Sequence, residues 1–238
     1  MRRQILKFAN ACVLPFGLKL QTQRVRLHER MEDALHHLIH KGCHPTTCID
    51  VGAAHGTLPF YEAFPKSKHL LIEPLAEYES EIKLIMRKYE CYYEQAAAGS
   101  APGILKINVK ERITGSSVFC EQPGVNQGTL REVRMVTLDQ ICEDRKLPGP
   151  YLVKIDVEGA EMEVVKGAEK IIGETLAFIL ELTFVARLVN APEAGEVIRF
   201  MAARGFVLYD IFDLRTRDDG TLFQADAIFV PRDSYLRV

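Results

Sequence analysis

Cys48-Ile49-Asp50-Val51-Gly52-Ala53-Ala54-His55-Gly56 is the stretch that decides the fold. A short apolar run ends in an acid, two glycines bracket three residues, and a helical pattern follows. That order reads as a buried strand, a tight turn and a helix N-terminus. Gly52 and Gly56 let the backbone approach a ligand closely, and the first amides of the next helix are free to donate hydrogen bonds. The spacing is G-x-x-x-G, not the G-x-G-x-x-G of dinucleotide-binding turns. Asp50 stands just before the first glycine, where a carboxylate opposes a pyrophosphate but suits a ligand with ammonium or sulfonium charge and no phosphate. An ordinary strand-to-helix turn has the same glycines, so the assignment needs residues further along the chain.

Thr57 to Phe64 reads as a short helix closed by Pro65, and His69-Leu70-Leu71-Ile72 as a second strand ending at Glu73-Pro74. Leu75 to Tyr89 is apolar at helical period. Strand, helix, strand, helix implies right-handed crossovers and a parallel sheet. Glu73 lies twenty-three positions after Asp50, where an acid in doubly wound folds accepts hydrogen bonds from ribose hydroxyls. Asp50, Gly52, Ala53, Gly56, Glu73 and Pro74 thus form a candidate nucleoside site. S-adenosylmethionine (SAM) is a nucleoside with the required charges. Cys91 to Ala97 reads as the third strand, closing on small residues that leave room for an adenine, so Ala97 joins the set.

From Gly103 to Val136 the apolar residues change to a looser alternation, punctuated by Gly115-Ser116-Ser117 and Pro123-Gly124. This predicts a β-rich insertion after the third strand, lying over the mouth of the site. Tyr151-Leu152-Val153-Lys154-Ile155-Asp156 is the fourth parallel strand, followed by Val157-Glu158-Gly159-Ala160-Glu161 and a helix over Met162 to Ile172. Asp156 therefore sits at the carboxyl end of the sheet, where α/β folds bind ligands. Leu176 to Leu182 is a fifth strand carrying Glu181, and Glu193 to Arg204 is a helix. Phe206 to Phe212 and Leu222 to Val230 are strands joined through Asp219-Gly220, a hairpin signal. The fold expected is α/β: a mostly parallel, Rossmann-like sheet with helices on both faces and an antiparallel C-terminal hairpin strand.

The chain has 238 residues, is 47% hydrophobic and carries a formal net charge of −2. It is long enough for one sizeable core, and its charge balance argues against a general nucleic-acid binder. Six cysteines lie scattered without a C-x-x-C pair, as expected of free thiols in a reducing, cytoplasmic setting. No apolar run reaches the roughly 18 residues that span a bilayer. Residues 1–45 read as an N-terminal arm and helix, and residues 46–238 as the main domain with the insertion at 103–136. In the arm, Arg2, Arg3, Lys7 and Lys19 surround an apolar stretch broken by Pro15 and Gly17. Packing on its own domain is the simplest role. Weak, peripheral attachment of residues 1–20 to an anionic membrane is the other. His36, His40 and His44 fall at helical spacing, but no acid or thiol completes a metal set.

The strings Asp50-Val-Gly-Ala-Ala-His-Gly56, Ile72-Glu73-Pro74, Gly115-Ser116-Ser117-Val118, Val136-Thr137-Leu138-Asp139 and Val153-Lys-Ile-Asp-Val-Glu-Gly-Ala-Glu161 resemble the FkbM family of SAM-dependent methyltransferases. The resemblance runs from about Thr46 to Val230. Ala54 departs from it, since an asparagine is usual there. The resemblance implies a class I, Rossmann-like methyltransferase that methylates a hydroxyl of a sugar, glycan, glycolipid or polyketide-like product. A hydroxyl nucleophile needs a base, and the candidates are Glu158, His55 and Glu181, in that order. Asp156 is expected to contact the cofactor. Asp156 and Glu158 together could hold a magnesium ion with several waters, the one metal arrangement in view. An NAD-dependent oxidoreductase and a non-catalytic SAM-binding module are the competing classes. The acceptor and the oligomeric state are left open.

Overall fold

The computed structural model describes residues 28–109, 128–185 and 191–238, together with Pro15. The expectations for the arm at residues 1–20 and for the Gly115-Ser116-Ser117 and Pro123-Gly124 turns lie outside the described residues. In chain order the elements are α1 (Met31–His40), β1 (Thr47–Val51), α2 (Leu58–Ala63), β2 (Lys68–Ile72), α3 (Glu79–Met86), β3 (Cys91–Glu94), β4 (Ala97–Ala98), β5 (Gly103–Val109) and β6 (Thr129–Val136). They continue as α4 (Leu138–Asp144), β7 (Tyr151–Ile155), α5 (Glu161–Lys166), β8 (Thr175–Thr183), α6 (Ala194–Ala203), β9 (Phe206–Thr216) and β10 (Leu222–Pro231).

Seven strands make the main sheet in the order β3-β2-β1-β7-β8-β10-β9. The first five are parallel, and β10 runs antiparallel between β8 and β9. The central strands β1 and β7 are buried along their whole length, as parallel strands covered on both faces should be. One face packs on α4, α5 and α6 through Leu138, Val164, Val165, Val197 and Met201. The other packs on α1, α2 and α3 through Leu35, Leu38, Phe60, Tyr61, Ile82 and Ile85. In α1 the buried residues Met31, Ala34, Leu35 and Leu38 keep helical spacing, while His36, His40 and His44 are exposed.

Some boundaries differ from the sequence reading. The third strand stops at Glu94, and Ala97-Ala98 pair instead with β6 in a three-stranded sheet ordered β4-β6-β5. The antiparallel β5–β6 ribbon is the described part of the insertion. The helix after β7 ends at Lys166 rather than Ile172. Gly167 lies so close to the next layer that a Cβ there would fall 2.1 Å from the Gly99 carbonyl oxygen. Helix α4 was not anticipated, although Thr137 caps it by accepting from the Gln140 amide at 3.1 Å. Among the described residues no helix is long and apolar enough to cross a membrane.

Candidate cofactor and acceptor site

The carboxyl ends of β1, β2, β7 and β8 open into a cavity of about 270 Å³. Its wall includes Gly52, Glu73, Pro74, Ala97, Asp156, Glu158 and Glu181 among the residues singled out from sequence, and Ala54, Tyr78, Leu105, Ile107 and Arg215 beside them. Leu105 and Ile107 come from the β5–β6 ribbon, so the insertion borders the cavity.

Gly52 makes the turn out of β1 with φ +76°, and its amide donates to the Ile72 carbonyl at 2.9 Å. A Cβ at this position would lie 1.9 Å from the Asp156 carbonyl oxygen. Glycine is therefore required where the ends of β1 and β7 meet. At the end of β2 the buried Glu73 accepts the Ala54 amide on Oε2 at 3.1 Å and the Leu75 amide on Oε1 at 2.9 Å. An ionised carboxylate has about four acceptor positions, so two remain for a pair of hydroxyls. Burial pushes this carboxyl up to about 7, against the two amides that lower it.

Four of the expected cofactor and base residues do not reach the cavity wall. Asp50 is only 1% exposed. Its carboxylate accepts from the Tyr61 hydroxyl, which ties β1 to α2, and lies 3.6 Å from the Lys154 ammonium. Ala53 is buried. Gly56 packs under α3, where a Cβ would meet Ile85 at 2.1 Å. His55 is turned outward by Ala54, which adopts φ 43°. Its side chain is 63% exposed and lies 3.6 Å from Glu81, with its ring edge-on to Tyr78.

At the end of β7 the Asp156 amide donates to the Val51 carbonyl at 3.0 Å, and its carboxylate accepts from Lys154 at 3.3 Å. The strand does not continue to Glu158. Glu158 and Gly159 adopt φ 54° and 101°, so the alternation that would set both carboxylates on one side of an extended strand is broken. Glu161, which sequence reasoning missed, stabilises this turn by accepting the Val157 and Gly159 amides at 3.3 and 3.0 Å. Burial pushes its carboxyl up to about 7.

Glu181 forms the far wall. The pairing of Ile155 with Leu180 brings it beside Asp156. One oxygen accepts from the Arg215 guanidinium at 2.7 Å and the other from the Gln224 amide at 2.8 Å. Burial, then Asp156 and Glu158, push this carboxyl up to about 8, outweighing Arg215. Asp226, opposite it on β10, is pushed up to about 6 by burial and then by Asp156. Arg215, Gln224 and Asp226 carried no sequence signal beyond being polar residues inside apolar strands.

The donor set fits SAM: a close-approach glycine turn, a buried acid with acceptor capacity left over, and carboxylates outnumbering cations around a ligand of positive charge. Among the described residues no group of three or more His, Cys, Asp or Glu side chains could hold a metal ion.

The strand order and the glycine turn facing an acid on the next strand define the class I, Rossmann-like methyltransferase fold. A model of the methyltransferase FkbM domain matches residues 50–208. The chain belongs to the FkbM methyltransferase family, whose members take the transferred methyl group from SAM. No curated protein matches it. Among solved structures it is similar to 1,6-didemethyltoxoflavin-N1-methyltransferase of Burkholderia thailandensis with bound S-adenosylhomocysteine, at 12% identity and TM-score 0.45, covering 85% of this chain and 76% of that one. It is similar to cofactor-bound Rv0187 from MTB, at 11% identity and TM-score 0.49, covering 95% and 90%. A third is the SAM-bound magnesium protoporphyrin IX methyltransferase of Synechocystis PCC 6803, at 11% identity and TM-score 0.43, covering 96% of each chain.

Proposed function

We propose that the protein methylates a hydroxyl oxygen of a sugar, glycan, glycolipid or polyketide-like acceptor, using Glu181 as the general base. The observation that carries this reading is the Glu181 carboxyl, buried in the cavity wall and pushed up to about 8. A base is most effective when its pKa lies near the working pH, and a hydroxyl acceptor needs one where an amine or thiolate acceptor does not. On burial we rank Glu181 ahead of Glu158, the first candidate from sequence, and His55 faces solvent.

When bound, SAM supplies an electrophilic methyl group on a sulfonium centre. The chain's own residues then bind and orient. Glu73 accepts from the ribose hydroxyls, the turn at Gly52 lets the backbone approach the amino-acid part, and Asp156 faces its ammonium. Arg215 and Gln224 fix the plane of the Glu181 carboxylate, so its free lone pairs meet the acceptor hydroxyl and take its proton. Glu158, at the mouth, adds negative charge that strengthens Glu181 as a base.

The test is incubation with methyl-labelled SAM and a panel of monosaccharides, glycans, glycolipids and phenolic polyketides, followed by NMR of the labelled product. The expected product is a methyl ether. Label on nitrogen, carbon or sulfur overturns the hydroxyl reading, and label on no acceptor favours a non-catalytic binding module.

A further inference from the structure

Lys154 is the next-to-last residue of the central strand β7, between Val153 and Ile155, and is 6% exposed. A lone ammonium there would be expensive to bury. Burial acts to lower its proton affinity, but Asp156, Asp50 and Asp226 outweigh it and hold the lysine above its ordinary range, so it stays charged. These three carboxylates come from just past the end of β7, from β1 and from β10. Asp50 pairs in register with Lys154. Asp156, two residues on and just past the end of β7, keeps the alternation because its amide still pairs with the Val51 carbonyl. Both carboxylates therefore start on the same face of the sheet.

The distances separate two roles. Asp50 already accepts from the Tyr61 hydroxyl, and its oxygen facing Lys154, at 3.6 Å, has no hydrogen-bond partner. Lys154 also reaches Asp156 Oδ2, at 3.3 Å, where it makes its hydrogen bond. Asp156 is at the cavity wall, and Asp50 is not. Neutralising Asp50 alone would not require that reach. The Asp156 backbone is fixed by the Val51 carbonyl at 3.0 Å, so the lysine fixes what remains, the rotation of the carboxylate.

We infer that Lys154 is a positioning residue that, from behind the cavity wall, aims the Asp156 carboxylate at the ammonium of the cofactor's amino-acid part. The inference rests on the reading of Asp156 as a cofactor contact. It separates the amino-acid half of the ligand, held at the end of β7, from the nucleoside half, held through Glu73 at the end of β2.

The experiment titrates the full chain calorimetrically with SAM and with 5′-methylthioadenosine, the same nucleoside without the amino-acid part. Lys154→Met removes the ammonium, and the double variant Lys154→Met/Asp50→Asn also removes the buried charge left behind, which protects folding. Both are expected to bind SAM roughly ten- to a hundredfold more weakly, as for one charge-assisted hydrogen bond, with 5′-methylthioadenosine unchanged within about twofold by the same conversion. Equal weakening of both ligands would mean a general structural role and overturns the inference. Asp156→Asn is the separating arm. If it leaves SAM affinity intact, the Asp156 reading fails. If it weakens SAM while the lysine variants do not, only the role of Lys154 fails.

Discussion

Glu181→Gln should make the protein more stable and less active. The substitution keeps the shape, and the amide oxygen can still accept from Arg215 while Gln224 turns its own amide to match. What disappears is a buried charge. The rise of the Glu181 carboxyl from an ordinary 4.5 to about 8 corresponds to about 5 kcal/mol against the ionised form, at ~1.4 kcal/mol for each tenfold change. That figure already contains the attraction of Arg215 and the repulsion of Asp156 and Glu158, and the amide that replaces the carboxylate offsets part of it, because its NH2 must find an acceptor when Gln224 turns. A net gain of about 1–2 kcal/mol is expected, or roughly 2–8 °C in Tm for a chain of this size. The folded-state value lies above the unfolded one, so the native chain holds more protons between about pH 4.5 and 8. Wild-type stability from this group is therefore complete below pH 4.5 and falls until the pH passes 8. The advantage of the variant should be absent at pH 4, grow through neutrality and level off near pH 8.5. Scanning calorimetry across that range measures it, and turnover on the labelled acceptor should fall about 10²-fold or more. A variant less stable than the parent at pH 8, or one that turns over at the parental rate, refutes the reasoning.

Other outcomes follow from the same geometry. Gly52→Ala drives a Cβ into the Asp156 carbonyl at a positive φ, so SAM binding by calorimetry should fall by about tenfold or more. Glu73→Ala leaves the Ala54 and Leu75 amides without their acceptor, at about 1–3 kcal/mol each, and should weaken SAM roughly ten- to a hundredfold. Retained affinity in a folded Glu73→Ala protein would contradict the ribose assignment. Tyr61→Phe removes the hydroxyl that Asp50 accepts from and should lower stability by about 1–3 kcal/mol, read as a lower urea midpoint at unchanged m. With Glu181 as the base, EDTA should leave turnover unchanged, and loss restored by magnesium would support an ion on Asp156 and Glu158 instead.

The strand–helix alternation was legible because each parallel strand is a short apolar run closed by an acid or a turn residue: Asp50-Val51-Gly52, Ile72-Glu73-Pro74 and Ile155-Asp156. The hairpin was legible in Asp219-Gly220. Helix α4 was missed because seven residues hold too few periods, though Thr137 with Gln140 is a capping signal. The fate of His55 and Glu158 was hidden because it turns on positive φ at Ala54 and Glu158, which neither residue type favours. Arg215, Gln224 and Asp226 were invisible for a different reason. They meet Glu181 through a register between β8, β9 and β10 that is set by pairing distant in sequence, and periodicity within one strand does not encode it.

The placement of β10 between β8 and β9 divides the chain into two exchangeable parts. Gly52, Glu73 and Asp156, with the Glu161 turn, are in place by the start of α5, whereas Glu181, Arg215, Gln224 and Asp226 come from β8 to β10. Until residues 222–231 dock, β8 presents an open edge next to the central strands, a template for pairing with the wrong chain. Cutting away the hairpin would therefore expose that edge and remove Arg215, Gln224 and Asp226 from around Glu181 together. Grafting the β8–β10 unit from a relative with a different acceptor keeps the edge covered. Such a chimera should inherit the relative's choice of acceptor while keeping this chain's affinity for SAM.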